Sequence, residues 1–263
     1  MLFFLTTSPL WLSALILIGP TTAFAMAGPF IIRRFVSLSR LRTNNEVAGF
    51  KFATVGVLYA VLLAFAVVVV WEKFNDADNR VAAEAGAAAT VYRLANGIGG
   101  DQGAAIRNVM NNYLNLVIAK DWPAMQQGRA SHAATDALSE IYMSVLTFRP
   151  ADNSGAILLG ELLRQVDLVS QSRRARLVTA DGIVPGVIWV VLFSGAVLTI
   201  GFTFFFGTKN IRAQAAMTGV LSILIFAGML TIISIDRPFA GPVNVGPEAL
   251  VAVFNDFGAM TPH

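Results

Sequence analysis

The sequence has no cysteine, only two histidines (His132 and His263), and only 13% charged residues among 263. Without cysteine there is no disulfide framework, no thiolate chemistry and no cysteine-ligated metal site. Two histidines are too few for a histidine-rich metal cluster, so no cofactor or metal is expected. Soluble domains carry about 25% charged residues. A chain with half that share cannot clothe a water-facing surface, and 56% of its residues are hydrophobic. Lipid must be the solvent for much of it. The net charge of +3 is small, with no basic stripe of the kind that binds nucleic acid.

Four uncharged stretches are long enough to cross about 30 Å of hydrocarbon. They run from about Pro9 to Ile32, Phe52 to Trp71, Ile183 to Phe206 and Ala213 to Ile235. Gly19-Pro20 and Gly28-Pro29 predict kinks or a break in the first. Pro185 falls in the first turn of the third, where proline is tolerated. Trp11, Trp71 and Trp189 lie near span ends, as in an interfacial belt. No Lys or Arg precedes Arg33, so the first stretch lacks the charged start of a secretory leader and reads as a retained span.

Between the second and third spans the chemistry changes. Residues 72–182 carry 11 Lys/Arg and 12 Asp/Glu, against none inside the four spans. Nothing breaks the helix pattern after Trp71, so the second span is expected to run on into water. Gly97 to Gly103 predicts a turn. A second helix is expected over Ala104–Lys120, with Ile106, Val109, Met110, Tyr113, Leu114 and Val117 as its apolar stripe, ended by Trp122-Pro123. A third follows over Ala133–Phe148. A fourth starts near Ser154 and carries Ile157, Leu158, Leu162, Leu163, Val166 and Val169. Residues 236–263 read as a tail with one short helix over Glu248–Phe257. The expectation is an all-α membrane protein: two pairs of spanning helices, 1–71 and 183–235, flanking an extramembrane helical bundle.

The short loops hold Arg33, Arg34, Arg40, Arg42 and Lys51 against Glu46, and Lys209 and Arg212 against no acid. The positive-inside bias places them in the cytoplasm, with the bundle and both termini outside. The membrane expected is the plasma (inner) membrane of a bacterial-type cell. Arg173, Arg174 and Arg176 precede the third span and, like Arg33 and Arg34, read as interfacial charge meeting lipid phosphates or acids of a neighbouring helix. No acid/base, metal or phosphate-loop constellation can be assembled, so an enzyme is not expected.

In the second span Gly56, Ala60 and Ala64 recur every fourth residue, a spacing that permits close helix packing. Ala53, Val57 and Val61 form an adjacent stripe. Both stripes are accounted for by packing against neighbouring helices. Alternatively, the second helices of several subunits surround an axis, and Ala53, Val57 and Val61 line a narrow apolar pore that gates by wetting.

Glu46-Val47-Ala48-Gly49-Phe50, the run from Val57 to Phe65, Trp71-Glu72, Phe206-Gly207 and Asp236-Arg237-Pro238-Phe239-Ala240-Gly241 together resemble the bestrophin-like membrane protein family, over nearly the whole chain. That family is distantly similar to bestrophins, which are pentameric ion channels with four membrane helices per subunit. The resemblance implies a homo-oligomer passing ions, with Trp71 and Glu72 ending the pore helix and Ala53, Val57 and Val61 at the hydrophobic neck. It matches Asp236, Pro238, Phe239 and Gly241 to the motif after the last span. No acidic cluster follows Asp236, so no calcium site is carried over. The resemblance implies a cytoplasmic bundle, opposite to the loop charges. Two functions follow: a homo-oligomeric, pentameric channel, or a non-conducting scaffold or sensor whose bundle binds a partner. Membrane lipids are expected partners of either.

Overall fold

The computed structural model describes residues 2–260, and its regular elements there are all helical. They are α1 (Leu2–Thr7), α2 (Leu10–Phe35), α3 (Leu38–Thr43), α4 (Asn45–Ile98), α5 (Gly100–Leu116), a π-helical turn (Val117–Asp121), α6 (Trp122–Met125), α7 (His132–Thr147), α8 (Asn153–Ala180), α9 (Gly186–Thr203), α10 (Ile211–Ile235) and α11 (Glu248–Met260). Four of them, α2, α4, α9 and α10, are long and apolar enough to cross a membrane. The chain divides into two compact units.

The first unit comprises residues 1–73, 182–236 and 241–243. Its central pair is α2 and α10, so α2 packs on the last span rather than on α4, its neighbour in sequence. α2 is a single helix with Pro20 and Pro29 inside it, where a kink or break was expected. The close approaches in this unit are made at glycines. Gly28 of α2 faces the Phe204 ring, and a Cβ at Gly219 of α10 would lie 2.8 Å from Met26. α4 adds itself with larger side chains. The Tyr59 hydroxyl donates to the Leu192 carbonyl at 3.1 Å, and its ring covers Gly195, where a Cβ would lie 2.5 Å away. Leu63 likewise covers Gly228. Phe52 packs against Phe202 at a tilt and edge-on against Phe206, with ring centroids 5.9 and 5.7 Å away. Trp11 and Trp71 are exposed, but Trp189 is buried beside Phe193 and takes no part in an interfacial belt.

The second unit comprises residues 74–181, 237–240 and 244–263. Its core follows the helical spacing of the sequence. Ile106, Met110, Tyr113 and Leu114 of α5 meet Ala77, Val81, Ala85 and Ala88 of α4, with Ile141 of α7 and Leu162, Val166 and Val169 of α8. Ile157, counted with the apolar stripe of α8, is exposed instead. The N-cap of α8 is Asp152, whose carboxylate accepts from the Gly155 N–H at 2.7 Å, so the helix starts one residue before Ser154. α4 turns into α5 at the pair Gly99 and Gly100, with φ +68° and +55°. Gly103 packs directly on the Ala95 carbonyl. Leu250 and Phe257 of α11 close the core, and Phe257 stacks on Tyr92 at 3.8 Å.

Trp122-Pro123 does not end a helix here. Helical backbone runs from Gly100 to Met125, because the hydrogen bonding shifts register before Pro123. The Trp122 N–H donates to the Val117 carbonyl five residues back, and Pro123, which has no N–H to give, falls in the first turn of the new register.

Gly195→Ala tests the packing of the first unit. Its methyl group would overlap the Tyr59 ring, and overpacking of this kind costs typically about 1–3 kcal/mol. Thermal unfolding in a fixed detergent should register that loss, and Gly56→Ala, where a Cβ meets nothing within 4 Å, should leave the transition in place.

Candidate functional site

The apolar half of α4 has two unlike faces. The face used inside the subunit is Phe52, Tyr59, Leu63, Ala66 and Val70, spaced by three, four and seven as a helix-packing seam requires. The opposite face lies open. Val57 is 63% exposed and Val61 46%, and Ala53, Ala60 and Ala64 are exposed with them. Gly56 is half-buried. The two small-residue stripes therefore take no part in packing within one subunit. The small residues that let α4 approach its neighbours are on the neighbours, Gly195 and Gly228. The open face ends at Trp71 and Glu72, both exposed.

The motif after α10 is a set of structural fastenings. Asp236 accepts from the Ile183 and Val184 N–H groups at 3.1 and 2.8 Å through Oδ1, and its carbonyl accepts from Ile183 at 2.9 Å. It thereby holds the turn that starts α9. The Pro238 carbonyl accepts from Val245 at 2.6 Å. Gly241 has φ +86° and touches the Thr6 carbonyl, a position that admits no side chain. Phe239, in the second unit, is buried edge-on against Trp122 at 5.7 Å.

Trp122 leads to the feature that charge spacing alone did not reveal. Arg176 is completely buried. It donates from Nε to Glu84 Oε2 at 2.9 Å and from Nη2 to Glu84 Oε1 at 3.1 Å and Asp121 Oδ2 at 3.2 Å. Arg173 reaches the same Asp121 in a two-pronged pair at 3.0 and 3.1 Å. Tyr113 donates its hydroxyl to Glu84 Oε1 at 2.7 Å, and the Ser131 N–H donates to Asp121 at 2.9 Å. The Arg176 guanidinium also sits 4.9 Å from the Trp122 ring centroid, a cation–π contact. Two carboxylates and two guanidiniums thus neutralise one another inside the bundle. Glu84 comes from α4, Asp121 from the π-helical turn and the arginines from α8. Arg173 and Arg176 are therefore inside the bundle rather than at a lipid interface. Of the three arginines before the third span, only Arg174 is exposed.

The cluster is electrostatically closed. Burial pushes the Asp121 carboxyl up, but the hydrogen bond from Arg173, the Arg176 charge and the Ser131 N–H outweigh it and hold it below the usual carboxylate range. Burial, reinforced by the Glu84 charge, raises the Tyr113 hydroxyl well above the ordinary tyrosine value. Burial lowers Arg176, but the Glu84 carboxylate more than offsets it and the guanidinium stays charged. Each of these three groups is thereby held further in its usual charge state near neutral pH. The described residues hold no group of three or more His, Cys, Asp or Glu placed to bind a metal.

Of the remaining basic residues, Arg33 is half-buried, donating to Thr208 and Gln214 at the foot of α10, while Arg34 is exposed.

Four helices with long uncharged stretches, together with an all-helical bundle that encloses the buried ion cluster, define an α-helical membrane protein of the bestrophin fold. The chain belongs to the Bestrophin-like family, whose domain model matches residues 19–250. Solved structures agree in fold. A bacterial bestrophin homolog from Klebsiella pneumoniae, in a single-substitution form, is 15% identical over 92% of this chain and 98% of its own, with a TM-score of 0.69. Another variant from that organism is 14% identical over 94% and 99%, with a TM-score of 0.71. A third structure of that homolog gives 15% identity over 92% and 98%, with a TM-score of 0.68. No curated protein sequence matches the chain.

Asp121→Asn would leave two buried guanidiniums facing one carboxylate. Removing one partner from a buried ion pair costs about 3–5 kcal/mol, and the thermal unfolding transition should fall accordingly. Because the Asp121 pKa is depressed in the folded chain, its contribution is fully present above the unfolded carboxylate value. It is lost as the pH falls through the folded value. Acid unfolding of the parent should therefore steepen below the ordinary carboxylate range, and Asp121→Asn should flatten that dependence.

Proposed function

We propose that this protein is a homo-oligomeric, pentameric ion channel in which α4 of each subunit faces a central axis, with Ala53, Val57 and Val61 at the narrow neck. The observation that carries the proposal is the uncovered face of α4. Only 11% of its most apolar window is buried within the subunit, against 44% for α10. A face so little covered by its own chain is free to meet lipid or other copies, and its small residues allow copies to approach closely and assemble with closed symmetry. Side chains no larger than valine leave a narrow apolar passage, which conducts when wetted and closes when it dries. The four uncharged stretches carry no Asp, Glu, His, Lys or Arg, whereas a proton-coupled transporter needs one at mid-membrane. The resemblance to bestrophins supports the same assignment.

The charge bias of the short loops favours their insertion towards the cytoplasm of a bacterial-type plasma membrane, with the bundle and termini outside. An arrangement with the bundle inside, as the resemblance implies, would reverse which end of α4 meets the cytoplasm without altering the pore.

Purified protein fused into planar bilayers should conduct. Val57→Trp, which fills the neck, should remove most of the current, and Val57→Asn, which wets it, should raise the open fraction. A monomeric particle, or currents unchanged in both variants, would contradict the proposal. Unchanged flux together with a protein recovered by cross-linking the bundle would favour the scaffold.

A further inference from the structure

At one end of the spanning unit, two loops remote in sequence are fastened into a single surface. Asn45, at the start of α4, clamps Gly207 from both sides: Nδ2 donates to the Gly207 carbonyl and Oδ1 accepts from its N–H, each at 2.9 Å. Arg33, in the last turn of α2, donates to the Thr208 carbonyl and, at 3.3 Å, to Thr208 Oγ1 and Gln214 Oε1. A Cβ at Gly207 would lie 2.6 Å from the Arg42 backbone nitrogen, so the α9–α10 connection rests directly on α3. The two fastened segments carry Arg34, Arg40, Arg42, Lys51, Lys209 and Arg212, all exposed, against one exposed carboxylate, Glu46.

Two further observations say what covers it. Phe35 and Phe50, among these cations, are 80% and 79% exposed, an arrangement disfavoured in water and suited to the boundary between headgroups and acyl chains. Beside the clamp lies a groove of about 370 Å³, walled by Phe52, Phe206, Met217 and Leu221. Thr208 and Gln214, the residues that Arg33 holds, also line it. An apolar slot opening beside a field of cations at the ends of uncharged spans has the chemistry of a phospholipid.

We propose that this surface binds an anionic phospholipid of the surrounding membrane, its phosphate on the loop cations and one acyl chain in the groove. The inference is independent of whether the protein conducts. Arg33 and Asn45 build the site without being its main charge, and the exposed cations supply the attraction, at close to 1 kcal/mol each beside an anionic surface.

Native mass spectrometry of the full chain in neutral detergent tests this, with dioleoyl phosphatidylglycerol and dioleoyl phosphatidylcholine as probes. Phosphatidylglycerol should bind more tightly. The combined substitutions Arg42→Gln, Lys51→Gln and Lys209→Gln adjoin the groove or its clamp. They should weaken phosphatidylglycerol about fivefold per charge, on the order of a hundredfold together, and leave phosphatidylcholine unchanged. Met217→Trp, which fills the groove, should weaken both lipids. Lys209→Gln alone, on an exposed loop, keeps the comparison available if the combined variant does not fold. Equal affinity for the two lipids would overturn the proposal, as would a preference that survives the charge substitutions. Binding indifferent to Met217→Trp would overturn it too, because the charges would then attract lipid without a built site.

Discussion

Hydrocarbon offers a peptide group nothing to bond with, so any segment that crosses it must close its own backbone hydrogen bonds. In this chain that demand selects helices, strips the spans of charge, and concentrates the ionisable residues in the loops and bundle. α4 meets it over an unusual length. Asn45 to Ile98 is one helix, uncharged and lined by Val, Leu and Phe from Phe52 to Trp71, alanine-rich and charged beyond it. The residues that α4 buries keep the same helical spacing throughout, from Phe52, Tyr59 and Leu63 to Ala77, Val81, Ala88 and Ala95.

An alanine face packs closely but is smooth, and by itself does little to fix one helix against another. The Glu84–Arg176–Asp121–Arg173 cluster supplies what the alanines lack. Two-pronged carboxylate–guanidinium pairs have one geometry, and they join α4, the π-helical turn and α8 at defined points. Such a cluster contributes little net stability relative to a well-packed apolar core, yet breaking it leaves buried charge. Its role here is to set register, and the Trp122–Phe239 contact ties the motif after α10 to the same place.

Much of this was legible in the residues. Four uncharged runs of sufficient length gave four spans, and the spacing of Ile106, Met110, Tyr113 and Leu114 identified a buried stripe correctly. What escaped reading required knowledge of the third dimension. For Arg173 and Arg176 the residues left lipid phosphates and acids of a neighbouring helix as alternatives; the acids are right, but their identity was hidden because Glu84 and Asp121 are 92 and 52 residues away. Gly-Pro pairs in α2 suggested kinks or a break and Trp122-Pro123 after α5 a helix end, but the span is not interrupted where no water competes for its backbone, and a π-helical turn absorbs a missing N–H. The packing glycines were legible as a pattern on α4, whereas the subunit uses Gly195 and Gly228 on the helices facing it. Comparing two faces of one helix needs the neighbours that cover one of them.

The absence of cysteine makes the central claim directly measurable, because any introduced thiol is the only one present. Single substitutions Ala53→Cys, Val57→Cys and Val61→Cys, with Tyr59→Cys and Leu63→Cys on the packed face, can be exposed in lipid vesicles to a charged, membrane-impermeant thiol reagent. If α4 faces a water-filled axis, the first three react and the second pair do not, a pattern with helical period. Uniform protection of all five, or reaction without regard to face, would contradict an aqueous path along α4.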